Sequence, residues 1–205
     1  NNGYGFISMS DESFEQNMWD KNSFSALDII FGEEKTTRRI YGLRKTDFTL
    51  FTPHMRKAIS EYVSVDDARV FLSGAYLGTD LDLCGDSLAR AFANDVLHYR
   101  FVTNHASRSG KVYPVNAVKG AFSKEFKFIQ EAHQTIYKVE SPDAIEPKGK
   151  DAKVFFRYNE DNKTAGVGYD GNYRTLILGF PFETIPTDDE RDKLMGQILK
   201  YWKMK

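Results

Sequence analysis

Hydrophobic positions along this chain change their period several times. Phe48, Phe51, Met55, Ile59 and Val63 recur every three or four residues, which places them on one face of an amphipathic helix starting near Pro53. Upstream, Gly5-Phe6-Ile7-Ser8-Met9-Ser10 alternates and meets Asp11-Glu12, the pattern of a short strand entering a turn. Phe24 to Phe31 is a compact apolar run closed by Gly32, which fits a buried strand or, alternatively, a helix. Val70-Phe71-Leu72 ends in Ser73-Gly74 and reads as a strand buried on both faces. Asp86 to Leu97 returns to helical spacing through Leu88, Phe92, Val96 and Leu97.

Residues 99–158 follow another rule. Short alternating stretches are broken by Gly110, Pro114, Gly120, Pro142, Pro147 and Gly149. They predict a β-rich, hairpin-containing insertion that covers one end of a sheet, because no clear linker flanks it. Strands are expected at Val154–Tyr158, Thr164–Gly168 and Tyr173–Leu178, with hairpin turns at Asp161-Asn162-Lys163 and Asp170-Gly171-Asn172. Thr187-Asp188-Asp189-Glu190 is a capping box opening a last helix that buries Leu194, Ile198 and Trp202. Strands alternating with helices predict a single α/β domain over residues 1–205, with a mostly parallel central sheet and helices on both faces. Sites in such sheets form at the carboxyl ends of the strands, here the loops 32–36, 73–80, 98–110 and 179–186.

Composition narrows the classes. Apolar residues make up 41% and charged residues 28% of the 205 residues, a globular balance. A net charge of −1 gives no electrostatic pull toward nucleic acid, and no apolar run is long enough to span a membrane. Sixteen Phe and eleven Tyr suit a β-rich core, although aromatic rings also line carbohydrate sites. The single cysteine, Cys84, excludes an intramolecular disulfide and a cysteine-based zinc site, and neither a metal nor a cofactor is expected. The opening Asn1-Asn2-Gly3-Tyr4-Gly5 reads like the interior of a domain, so a further upstream segment is expected.

The chemistry concentrates at Gly74-Ala75-Tyr76-Leu77-Gly78, directly after the buried strand. Glycines on both sides of one residue permit a sharp strand-to-helix turn that presents the tip residue. The tip here is Tyr76, and a phenol is a poor nucleophile without a base to activate it.

Gly74-Ala75-Tyr76-Leu77-Gly78-Thr79-Asp80 resembles the Gly-Ile-Cys-Leu-Gly-His-Gln elbow of class I glutamine amidotransferases. Gly179-Phe180-Pro181-Phe182-Glu183 resembles that family's Phe-His-Pro-Glu. Tyr76 then stands at the cysteine position, Pro181 replaces the histidine, and Glu183 keeps the acid. Thiol attack needs both thiolate and base, so the resemblance implies no glutaminase activity. Gly3-Tyr4, Ser10-Asp11-Glu12, Leu27 to Glu34, the elbow and the Glu183 segment run in an order similar to the amidotransferase-like module of secreted Bacteroides-type proteins labelled xanthan lyases or N-acetylmuramoyl-L-alanine amidases. That likeness implies a flavodoxin-like sheet, lacking its first strand and helix, and a secreted, periplasmic or cell-surface address. It further implies a glycan or peptidoglycan ligand and neighbouring domains of the same polypeptide.

Three functional readings follow. The first is a degenerate, non-catalytic module. The second is a hydrolase or polysaccharide lyase with a replaced site, in which Tyr76, His105 and Glu183 meet and a His–Glu pair moves protons. The third is a pure assembly domain. Glu33, Glu34, Ser73 and Asp80 are candidate substrate-binding residues at strand ends and just past the elbow, although the acids among them fit helix starts and solvated turns better.

Overall fold

The fold is described from a computed structural model, for residues 4–8, 53–83, 85–122, 124–131, 133, 136, 138–139 and 141–203, with residues 4–8, 54 and 55 described by backbone alone. The apolar run Phe24–Phe31, the Glu33-Glu34 pair and Cys84 lie outside the described residues.

Strand β1 (Tyr4–Ser8) comes first, and helix α1 (Pro53–Val63) starts at the proline that the sequence marks, since proline fits the first helical turn. Strand β2 (Arg69–Ser73) is buried at every position. Helices α2 (Leu77–Leu83) and α3 (Ser87–Ala91) follow, the latter capped by Asp86, whose carboxylate accepts the Leu88 N–H at 2.8 Å. Helix α3 runs into a π-helical turn, Phe92–Val96, in which the Leu97 N–H donates to the Phe92 carbonyl at 3.0 Å. That wider turn sets Leu97 on the buried face with Ala89, Phe92 and Ala93. Leu88, predicted on the buried face, is 72% exposed.

Strands β3 (Tyr99–Thr103), β4 (Lys111–Pro114), β5 (Phe126–Lys127) and β6 (Ala144–Pro147) come next. Then follow β7 (Ala152–Tyr158), β8 (Thr164–Asp170), β9 (Arg174–Leu178) and the closing helix α4 (Asp188–Tyr201). The Thr187 cap works as predicted: its hydroxyl oxygen accepts the Glu190 N–H at 3.3 Å and donates to the Glu190 carboxylate at 2.8 Å.

The expected fold class does not hold. Among the described residues nine strands stand against four α-helices. The main sheet has seven strands in the order β1-β2-β9-β8-β7-β4-β5, with β3 and β6 forming a separate antiparallel pair. Only β1–β2 and β2–β9 run parallel; the remaining neighbours of the main sheet are antiparallel. This is a mixed, strand-dominated sheet and not a flavodoxin-like, mostly parallel one. Strands joined by tight turns can pair only antiparallel, whereas a parallel neighbour needs a crossover. The turns at Asp161-Asn162-Lys163 and Asp170-Gly171-Asn172 join β7 to β8 and β8 to β9. The 99–158 region corrects similarly, because β4, β5 and β7 extend the main sheet instead of capping it.

Alternation along β2 and β9 splits the core in two. Phe71, Leu176 and Leu178 pack with Phe156, Phe180, Leu194, Ile198 and Trp202 on one face. Val70, Leu72 and Ile177 pack with Ile59, Val63, Leu97 and Tyr99 on the other. The sheet end that carries the bend is fixed between these clusters, and Tyr76 touches both.

Candidate functional site

Strands β2 and β9 are parallel neighbours with Ser73 opposite Leu178, so their carboxyl ends open on the same side. The Gly74 N–H donates to the Leu178 carbonyl at 3.2 Å and extends that pairing by one residue. The chain then turns at Ala75-Tyr76 and enters α2, so Tyr76 stands at the strand-to-helix bend. The Ser73 hydroxyl oxygen accepts the Phe182 N–H at 3.1 Å, and the Phe71 and Phe182 rings meet edge to face at 5.6 Å. Glu183, in the 3-10 turn Phe182–Thr184, is thereby held at the same end of the sheet as the bend.

The other predicted site residues separate. Ser73 is fully buried and Asp80 is 3% exposed, so both belong to the interior. His105 is exposed, with a left-handed backbone at φ 52°, and makes no hydrogen bond or ion pair among the described residues. Its neighbour Ala106 donates its N–H to the Pro142 carbonyl at 2.9 Å. Glu33 and Glu34 lie outside the described residues.

That Pro142 contact leads to a residue the sequence did not single out. Asp143 is fully buried under the bend. Its Oδ2 accepts the N–H of Gly78 at 2.7 Å and of Thr79 at 2.9 Å, and its Oδ1 accepts the Thr79 hydroxyl at 2.6 Å. Its own N–H donates to the Gly179 carbonyl at 2.7 Å, and its carbonyl accepts the Tyr158 hydroxyl at 2.7 Å. The bend, the His105 loop, the 141–143 segment and the start of the Glu183 segment are all tied together here. Two glycines make room for it. A Cβ on Gly78 would sit 2.8 Å from the Phe101 ring, and one on Gly179 would sit 2.0 Å from the Asp143 carbonyl oxygen. Gly78 therefore serves close packing against β3 and β6, and its φ is not positive.

Burial pushes the Asp143 carboxyl up to about 8; the Thr79 and Gly78 hydrogen bonds pull the other way, and the Asp80 charge adds to the rise. Burial likewise raises the phenols of Tyr99 and Tyr158 well above their ordinary value, with the Asp143 charge contributing. Tyr99 donates its hydroxyl to the Leu77 carbonyl at 3.1 Å, which anchors the first residue of α2 to β3.

No family model and no curated protein match the chain. Among solved structures it is similar to the exo-beta-1,4-mannosidase Op5Man5 from Opitutaceae bacterium strain TAV5, at 11% identity and a TM-score of 0.36, over 86% of this chain and 38% of that one. The chain thus spans well under half of that protein's length. A likeness at this level carries no argument about fold or activity.

The chemistry available at the bend follows from its donors. A nucleophile elbow stabilises a developing oxyanion with backbone N–H groups beside its tip. Here the Gly78 and Thr79 donors of the first helical turn are already spent on the chain's own carboxyl. Among the described residues no group of three His, Cys, Asp or Glu side chains could hold a metal ion. Among the described residues no helix is long and apolar enough to cross a membrane. A cleft of about 360 Å³ lies elsewhere, between α1 and the α3–π segment, lined by Arg56, Lys57, Ser60, Leu88, Phe92 and Asp95. The 141–143 segment could not have been found from the sequence, because Asp143 meets its partners across 64 and 65 residues.

Proposed function

We propose that this chain is a degenerate, non-catalytic amidotransferase-like module of a secreted or cell-surface protein concerned with glycan or cell wall, and that it has no glutaminase activity. The kinship rests on the elbow and Glu183 motifs, and the glycan or peptidoglycan ligand and the neighbouring domains rest on that resemblance alone. One observation supports the loss of chemistry beyond the missing thiol. The Asp143 carboxyl takes the backbone N–H groups two and three residues beyond the tip, at 2.7 and 2.9 Å, so two donors of the first helical turn are engaged within the chain. An anion forming at Tyr76 would find the Gly78 and Thr79 amides engaged.

The test pairs turnover with binding. The chain is incubated with glutamine and with panels of glycans, peptidoglycan fragments and esters, and its retention on insoluble peptidoglycan and in polysaccharide gels is measured. The expected result is retention without ammonia release or product. Turnover that Tyr76→Phe abolishes would overturn the reading in favour of a replaced site using Tyr76 with His105 and Glu183. Absence of both turnover and retention, with self-association in sedimentation, would favour an assembly domain.

A further inference from the structure

A buried acid holds the junction under the bend, and among the described residues no cation pairs with it. Asp143 is fully buried, and its carboxyl partners are the Gly78 and Thr79 N–H groups and the Thr79 hydroxyl. From α2, the buried Asp80 faces it and Asp82 lies further along the same helix. From β3 and β7 come the phenols of Tyr99 and Tyr158, both fully buried. The segment after β9 offers the Gly179 backbone, and the loop that meets Pro142 through Ala106 carries His105, which is exposed to solvent. Among the described residues the buried titratable groups around Asp143 are all acids. A carboxylate in such a place gives up its hydration for three dipolar donors and gains no opposite charge.

We propose that Asp143 keeps its proton in the folded domain at neutral pH and acts as a pH-controlled latch that fastens the β3–β6 sheet to the 74–79 bend. The geometry accommodates both states. The Thr79 hydroxyl, 2.6 Å from Oδ1, accepts a hydrogen from the neutral acid and donates one to the ionised form. On ionisation the charge remains buried beside Asp80, and hydration is regained only if the 141–143 segment withdraws. Strand β6 begins at Ala144, the next residue, and pairs with β3, so withdrawal carries both strands away from the bend and uncovers the Gly78 and Thr79 amides. The upward displacement of the Asp143 carboxyl to about 8 agrees with this reading. The latch goes beyond the proposed function and does not depend on whether the module binds glycan.

The decisive measurement is a carboxyl-carbon NMR titration of the full 205-residue chain, assigned through Asp143→Asn. Hydrogen exchange of the Gly78 and Thr79 amides is followed in parallel, corrected for the intrinsic rate. The expected result is an Asp143 carbon that titrates above about pH 7, with exchange at both amides rising roughly tenfold across the same step. Asp143→Asn, neutral at every pH, should keep those amides protected throughout. An Asp143 carbon already ionised near pH 6 would overturn the latch, as would the same exchange step in Asp143→Asn. If the variant does not fold, the wild-type titration, assigned by through-bond correlation, decides alone.

Discussion

Tyr158 places its hydroxyl 2.7 Å from the carbonyl of Asp143 and 3.2 Å from that of Gly179, so one buried phenol on β7 joins the segment before β6 to the segment after β9. The ring also packs edge to face on Phe128, at 6.3 Å between centroids. Antiparallel strands of the main sheet thereby brace the parallel end, where the bend stands.

Removing that hydroxyl leaves the buried Asp143 carbonyl short of a donor while keeping the ring; the Gly179 carbonyl retains the Asp143 N–H. Tyr158→Phe should lower stability by about 1–3 kcal/mol, read as a lower urea midpoint at unchanged slope. An unchanged midpoint would mean that water replaces the phenol.

Gly179 has no space for a methyl group, because the Asp143 carbonyl oxygen lies 2.0 Å from the position of its Cβ. Gly179→Ala should cost about 1–3 kcal/mol or prevent folding, since backbone must move on both sides. Gly120→Ala, where nothing lies within 4 Å of the added carbon, is the control and should leave the thermal midpoint nearly unchanged.

Two leucines that the spacing places on one face separate in the structure. Leu97 is fully buried and Leu88 is 72% exposed. Leu97→Ala should therefore cost about 2–5 kcal/mol and Leu88→Ala less than about 0.5. Equal costs in chemical denaturation would restore the regular helical face that the spacing predicts.

His98 should make the domain weaken in mild acid. Its Nε2 lies 3.0 Å from the Tyr173 hydroxyl, which donates to the Val96 carbonyl at 2.8 Å, so the Nε2 carries the hydrogen in that contact. Burial holds its protonation below the ordinary 6.5, against the opposing charges of Asp95 and Asp151. A depressed folded value means that the unfolded chain binds the proton first. This stabilising contribution is thus full above pH 6.5 and is lost as pH falls below it. His98→Asn, which tolerates the left-handed φ of 59°, should flatten part of that decline in urea melts taken on either side of pH 6.5. A decline as steep in the variant as in the wild type would assign it to other groups.

Truncating the Thr187 cap should shorten or loosen α4. Thr187→Ala should cost about 0.5–2 kcal/mol, seen in the denaturation midpoint, and Thr187→Ser should recover most of it.

The sequence by itself determined what short-range physics controls. The proline at the start of α1, the apolar run Val70–Leu72 within β2, the capping box of α4 and the tight turns between β7, β8 and β9 each depend on residues within a few positions of one another. Tyr76 at the strand-to-helix bend was legible for the same reason. Strand direction was not, because alternation with a period of two is the same whether a neighbour runs parallel or antiparallel. Leu88 faces solvent because α3 turns Ala89 to the core instead, a choice made by packing that the spacing does not mark. The seat of Asp143 was decided by tertiary structure alone: its partners lie 64 and 65 residues away, and only the closing of the sheet brings a carboxyl beneath the amides of the bend.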